Sequence, residues 1–150
     1  MDEGVGRLLT TLDAEGMTED TMIVFFSDNG GATNNASDNG PWRGMKGSKW
    51  EGGQRVPCIM RWPGKIPAGK VNSELTLSMD FYPTLAAIGG AEVPTDRIID
   101  GNDIRPLMFN EEGAISEHDA FFYYKRDSIE AVRSGKFKLH VRKDDDEINE

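Results

Sequence analysis

An α/β fold that closes in a small antiparallel β meander is what this 150-residue sequence predicts. Three observations predict it. An apolar stripe at helical spacing opens the chain, an unbroken β-forming run follows after a short polar link, and three short strand-like segments close it.

Within residues 2–15, Val5, Leu8, Leu9 and Leu12 fall at i, i+3, i+4 and i+7, which gives one apolar helical face, and Gly16 supplies the stop. Residues 22–26 (Met-Ile-Val-Phe-Phe) are continuously apolar, as in a strand covered on both faces in a parallel sheet. From 27 to 53 the pattern collapses into Gly, Asn, Ser and Asp. A stretch of that length is a functional or disordered loop. Residues 57–62 form a second strand candidate closed by Pro63-Gly64. Ser78 or Asp80 caps a short helix through Ile88, stopped by Gly89-Gly90. Residues 94–113 read as irregular. Segments 120–125, 129–133 and 137–142 then form the meander, separated by turn-like triplets at 126–128 and 134–136. The expected division is 1–113 for the α/β part, 114–143 for the antiparallel subdomain and 144–150 for a solvated acidic tail.

Composition narrows the function classes. The hydrophobic share is 37%, low for a compact globule, and 17 Gly with 7 Pro indicate many loops. A net charge of −9 argues against a nucleic-acid partner. No apolar run approaches the ~20 residues that span a bilayer. Residues 1–16 are charged and amphipathic, unlike a signal peptide, and the single cysteine excludes an internal disulfide. The charge is unevenly spread. Residues 42–70 carry seven basic residues against one acid, Glu51, so this Gly-rich stretch is cationic in an acidic chain. That suits either a small anion or an ordinary solvated loop.

Asp28 and Asn29 follow the buried strand directly, where α/β sheets hold their ligands. A carboxylate and an amide oxygen are hard donors of the kind Ca²⁺ or Mg²⁺ takes, although Asp-Asn-Gly is equally a turn sequence. The spacing excludes an EF-hand loop. Arg43, Lys46 and Lys49 lie at steps of three, with Gly and Ser between them that let the backbone approach a ligand. Lys46 is the favoured ligand for an anion. An ammonium ~4 Å from an anion oxygen gains ~4 kcal/mol gross at an effective dielectric near 20, much of it offset by desolvation. Arg43 and Lys49 read equally well as surface cations that pair with Glu51 or other acids. Cys58 reads as a buried, inert thiol. Neither His118 nor His140 has metal-ligand spacing, and Trp42, Trp50 and Trp62 read as packing residues.

Taken together, four stretches resemble the sulfatase family of the alkaline-phosphatase-like superfamily. "DEGVGRLLTTLDAEGMTEDTMIVFFSDNGG" resembles its helix, link, strand and Asp-Asn-Gly metal loop. "WRGMKGSKWEGGQRVPCIMRWPGKIPAG" is similar to the segment with R-G-x-K-x-x-x-x-E-G-G-x-R-V-P and the following W-P-G. "SMDFYPTLAAIGG" resembles the D-x-x-P-T-L helix, and "IIDGNDIRPLM" with "EAVRSGKFKLH" resemble the later D-G-x-x-x-x-P-L and the arginine-bearing hairpin. The likeness is collinear over roughly 2–140.

The resemblance implies the C-terminal part of an alkaline-phosphatase-like sandwich and hydrolysis of sulfate monoesters at one Ca²⁺ ion. Asp28 and Asn29 match the metal ligands, and Lys46 matches the lysine that contacts the sulfate and supports its charge. Arg43 and Arg55 are expected to order the loop. The family nucleophile, a formylglycine made within C/S-x-P-x-R, has no counterpart, because Cys58 is followed by Ile59, Met60 and Arg61. The implied Ca²⁺ site is therefore incomplete in this chain, formylglycine belongs to a part N-terminal to it, and the isolated chain is expected to be inactive and to self-associate through unpaired strand edges. A periplasmic, secreted or lysosomal location is expected on the same ground. The competing expectations are a phosphodiesterase or phosphonate hydrolase of the same superfamily, and a non-catalytic calcium- or anion-binding module.

Overall fold

The structure, a computed structural model, describes residues 1–141. The acidic run at 144–147 and the last residue of the third predicted meander strand, Arg142, lie outside them. The chain is a mixed α/β structure that divides into two compact units. One comprises Met1–Phe25 with Ile59–Glu117, the other Phe26–Cys58 with the chain from His118 onward.

In the first unit, helix α1 spans Asp2–Ala14. It ends as the Gly16 position predicts. Gly16 adopts φ +68°, its N–H donates to Asp13 O, and the Met17 N–H reaches back to Leu12 O at 2.8 Å, a Schellman closure. Strand β1 (Ile23–Phe26), whose last residue opens the second unit, pairs with β2 (Cys58–Arg61) in a two-stranded sheet. Its coverage is less than the apolar run predicts. Ile23 and Val24 are half-buried, but Phe25 and Phe26 are 40% and 43% exposed, because β1 has one strand neighbour among the described residues.

The helix predicted to end at Ile88 is α3 in chain order, Phe81–Ile88, led in by a 3₁₀ turn at Ser78–Asp80. Asp80 stands at the N-cap of α3, as predicted, but its side chain makes no capping bond to that helix. Its fully buried carboxylate accepts from Leu77 N at 2.7 Å and Asn102 N at 2.9 Å, tying two distant segments together. Thr84, also buried, accepts from Ile104 N at 3.0 Å. Where an irregular stretch was predicted, these two side chains pin residues 101–104 against α3 and set up a short helix, α4 (Arg105–Met108). Ile104, Leu107 and Met108 form the core of this unit, with Met22, Met60, Ile66 and Ile88 packed against them.

The second unit contains the long loop and the meander. The loop is not structureless, since it holds a 3₁₀ turn (Thr33–Asn35) and a one-turn helix, α2 (Glu51–Gln54). The meander comprises β3 (Phe121–Lys125), β4 (Ser128–Ser134) and β5 (Phe137–His140), antiparallel in the order β3-β4-β5. Tyr123 faces Ala131, which faces His140, and Arg133 faces both Phe121 and Lys138, so these residues share one face. A two-residue turn with Gly135 at φ +52° sets the β4–β5 register.

Candidate functional site

Asp28, Asn29, Arg43, Lys46 and Lys49 all fall in the second unit, and its backbone brings their segments together. The Lys46 N–H donates to Gly31 O at 3.1 Å, so the cationic stretch is bonded to the loop two residues beyond Asn29. Gly30 N donates to Gly53 O at 3.0 Å, a second rung between the same segments. Asn39, which sequence reasoning passed over, is the bracket between them. Its side-chain oxygen accepts from Gly31 N at 2.8 Å, and its amide donates to Gly31 O and Gly44 O, both at 3.0 Å. The second Asp-Asn-Gly is thus an internal brace, since Asp38 in turn accepts from Gly40 N.

The glycines act differently from the expectation that they admit a ligand. A Cβ on Gly30 would lie 1.8 Å from Gly52 O, one on Gly52 would lie 2.4 Å from Gly44 O, and one on Gly53 would lie 2.5 Å from Met45 O. Backbone approaches backbone at these positions, and no larger residue fits. Gly44, at φ +85°, supplies the turn that leads into Lys46.

Asp28 is exposed, Asn29 half-buried and Lys46 exposed. Ser27 Oγ donates to Asn29 O at 2.9 Å, which steadies the backbone at that point. Among the described residues, the side chains of Asp28, Asn29 and Lys46 enter no hydrogen bond or ion pair with the protein. The donor set at 28–29 suits a hard cation in type but fills at most a few of the six to eight oxygen positions Ca²⁺ takes. No cluster of three or more His, Cys, Asp or Glu capable of holding a metal occurs among the described residues.

The neighbouring cations are engaged otherwise. The Arg43 guanidinium lies 4.0 Å above the Trp50 ring and Arg55 4.1 Å above Trp42, stacking that orders the loop. Trp50 also packs on His140, with ring centroids 4.4 Å apart. Lys49 is buried, and its carbonyl accepts from Lys138 Nζ at 2.6 Å.

The pairing of Glu51 with Arg43 or Lys49, considered from sequence, is replaced by three partners from the meander, one from each strand. Tyr123 Oη and Lys138 Nζ both donate to Glu51 Oε1, the lysine at 3.0 Å, and Arg133 lies 3.6 Å from Oε2. Lys138 also sits 3.4 Å from the centre of the Tyr123 ring. Burial alone raises the Glu51 carboxyl, but the bonds from Tyr123 and Lys138 and the charges of Lys138 and Arg133 outweigh it and hold it below its ordinary value. Burial lowers Lys138 in spite of Glu51, with Arg133 and Lys49 adding repulsion. The carboxylate is the better served partner, with three donors around it. For Tyr123, burial and the bond to Glu51 raise the phenol well above its usual range, so it stays a donor. Sequence offered one signal for this cluster, a lone acid in a cationic stretch.

Cys58 is exposed, not buried as expected, because β2 presents it at a strand end. Partial desolvation still raises its thiol, so it remains protonated near neutrality and is a weak nucleophile.

Comparison with known proteins bears on both units. The family model described as Sulfatase matches residues 1–91. The chain is 43% identical over 141 residues to "Steryl-sulfatase" of Mus musculus, covering 89% of this chain and 22% of that protein. It is 41% identical over 145 residues to "Arylsulfatase" of Hemicentrotus pulcherrimus, covering 95% of this chain and 26% of that protein. Among solved structures, the PsFucS1 sulfatase from Pseudoalteromonas sp. superposes with a TM-score of 0.83 at 37% identity, over 93% of this chain and 28% of that one. The chain therefore spans about a quarter of the length of the relatives it matches.

Proposed function

This chain belongs to the sulfatase family, and from that premise we propose that it supplies the C-terminal part of a sulfuric ester hydrolase, with Asp28 and Asn29 as metal ligands and Lys46 as the residue that contacts the sulfate. The observation that carries the reading is the bond from Lys46 N to Gly31 O, which ties the ammonium-bearing stretch to the Asp28-Asn29 loop. Two motifs that lie 17 residues apart from Asn29 to Lys46 are thereby neighbours through the backbone.

In this reading each residue has a distinct task. Lys46 carries an exposed positive charge on an anchored backbone. It binds one sulfate oxygen and offsets the negative charge that grows as the ester S–O bond breaks. Asp28 and Asn29 would supply oxygen ligands to a Ca²⁺ ion, which when bound would polarise the sulfate oxygens. On this reading the remaining ligands and the formylglycine nucleophile would be supplied by other parts of the full-length protein, since no C/S-x-P-x-R motif occurs in these residues. The relatives' names range over steryl, aryl and N-acetylgalactosamine-6-sulfate esters, so the group recognised in common is the sulfate, not the alcohol. A periplasmic, secreted or lysosomal setting belongs to the same proposal. Among the described residues no helix is long and apolar enough to cross a membrane.

The test is substitution in the full-length protein that carries this segment. K46A is expected to lower kcat for a 4-nitrophenyl sulfate substrate by about 10²–10³-fold, as loss of one preorganised charge donor does. Retention of wild-type kcat in K46A would remove the reading.

A further inference from the structure

The meander turns one face toward the candidate site, and that face carries a charge arrangement that the proposed chemistry does not use. We infer that Glu51, gripped by Tyr123, Arg133 and Lys138, is a positioning residue for Lys46: the meander fixes α2, and α2 fixes both segments of the candidate site. The inference rests on the functional reading above.

The argument runs through bonds. A one-turn helix cannot hold itself, since nucleation costs more than its few hydrogen bonds return. α2 needs an outside anchor, and the Glu51 carboxylate is where all three meander strands converge on it. Lys138 strengthens the grip by also binding the Lys49 carbonyl just before α2. From α2 the bonds lead to the site. Gly52 N donates to Arg43 O at 2.8 Å, Gln54 Nε2 to Ser48 O at 3.0 Å, and Gly53 O accepts from Gly30 N at 3.0 Å. The first two bonds hold the turn that carries Lys46, and the third holds the loop that carries Asp28 and Asn29. Both segments bond to this short helix as well as to each other through Lys46 N and Asn39, so a shift of the helix alters the spacing between the Lys46 segment and the Asp28-Asn29 loop. Misplacing a reacting group by ~1 Å can cost ~10²-fold in rate.

Two measurements test this. Hydrogen exchange on the full-length protein, read by mass spectrometry, should show residues 44–53 of E51Q exchanging at least 10-fold faster than wild type. Residues 80–108 of the other unit should be unchanged. Equal exchange at 44–53 would overturn the inference. In the full-length protein, kcat/KM for 4-nitrophenyl sulfate should fall ~10–100-fold in E51Q, and that loss should shrink to ~3-fold or less in a K46A background, since Glu51 acts chiefly through Lys46 and the Asp28-Asn29 loop is also braced by Asn39. An equal loss in both backgrounds would mark Glu51 as merely structural and overturn the inference. If E51Q fails to fold, Y123F, which removes a single bond to Glu51, is judged by the same criterion with an expected ~3–10-fold loss. An unaffected K46A protein would overturn the functional reading and the inference together. A K46A protein that is inactive beside an unaffected E51Q would overturn the inference alone.

Discussion

Gly30 shows how much of this site is decided by a missing side chain. Its neighbours Asp28 and Asn29 offer donors to a ligand, but Gly30 itself touches only backbone, with Gly52 O where a Cβ would stand. G30A should therefore destabilise the second unit by about 3 kcal/mol, the upper end of ordinary overpacking. G4A in α1, with open space around it, should be neutral or stabilise by about 0.5–1 kcal/mol. Thermal melting of the two variants in the full-length protein checks the contrast, and equal effects would refute the close approach. The sequence showed that the 44–53 stretch is glycine-dense but not why. Flexibility for a ligand and room for a crossing backbone demand the same residue, and only the tertiary contact separates them. Lys46, Asp28 and Asn29 were singled out because charge and oxygen donors declare a candidate chemistry in the residue type. The braces Asn39 and Glu51 were not, because an amide or acid that binds backbone or a distant strand looks like any polar loop residue.

At the scale of elements, those with a full period were readable. α1, α3, β1, β2 and the meander stand within a few residues of their predicted bounds. α2 and α4 were missed because four residues show no helical repeat, and tertiary anchors create them: Glu51 for one, Asp80 and Thr84 for the other. The anchor of α2 makes a pH prediction. The Glu51 carboxyl is lower in the folded state than its ordinary 4.5, so the unfolded chain takes up its proton first on acidification. Its contribution is fully present above pH ~4.5 and is lost as pH falls through the lower folded value. Hydrogen exchange across 121–140 should be flat in its protection from pH 7 to 5, after correction for intrinsic rates, and should weaken below ~4.5. In E51Q this acid component should be absent, and an identical acid limb in E51Q would show that another group carries it.

For the whole molecule, the apolar surface that the described residues leave open is telling. Phe25 and Phe26 of β1 and Ile59 of β2 are exposed, and α1 buries no residue. In relatives about four times as long, more chain is available to cover such faces. The 150-residue chain alone should therefore associate through β1 and β2, despite a net charge of −9, and sediment as oligomers at micromolar concentration. A monodisperse, cooperatively melting monomer would contradict this. The α/β class and the family resemblance were readable at this scale because four motifs recur in order along the chain. The grouping of the long loop with the meander was not, since it depends on contacts such as Lys138 to Lys49, 89 positions apart.

The central claim is that the Asp28-Asn29 loop and Lys46 serve a site for a sulfate ester. Turnover of matched 4-nitrophenyl sulfate and 4-nitrophenyl phosphate by the full-length protein tests it most directly. The account predicts a kcat/KM higher for the sulfate by at least 10²-fold, a discrimination of about 2.7 kcal/mol in the transition state. A preference for the phosphate, or no turnover of the sulfate with the formylglycine and Ca²⁺ in place, would contradict it.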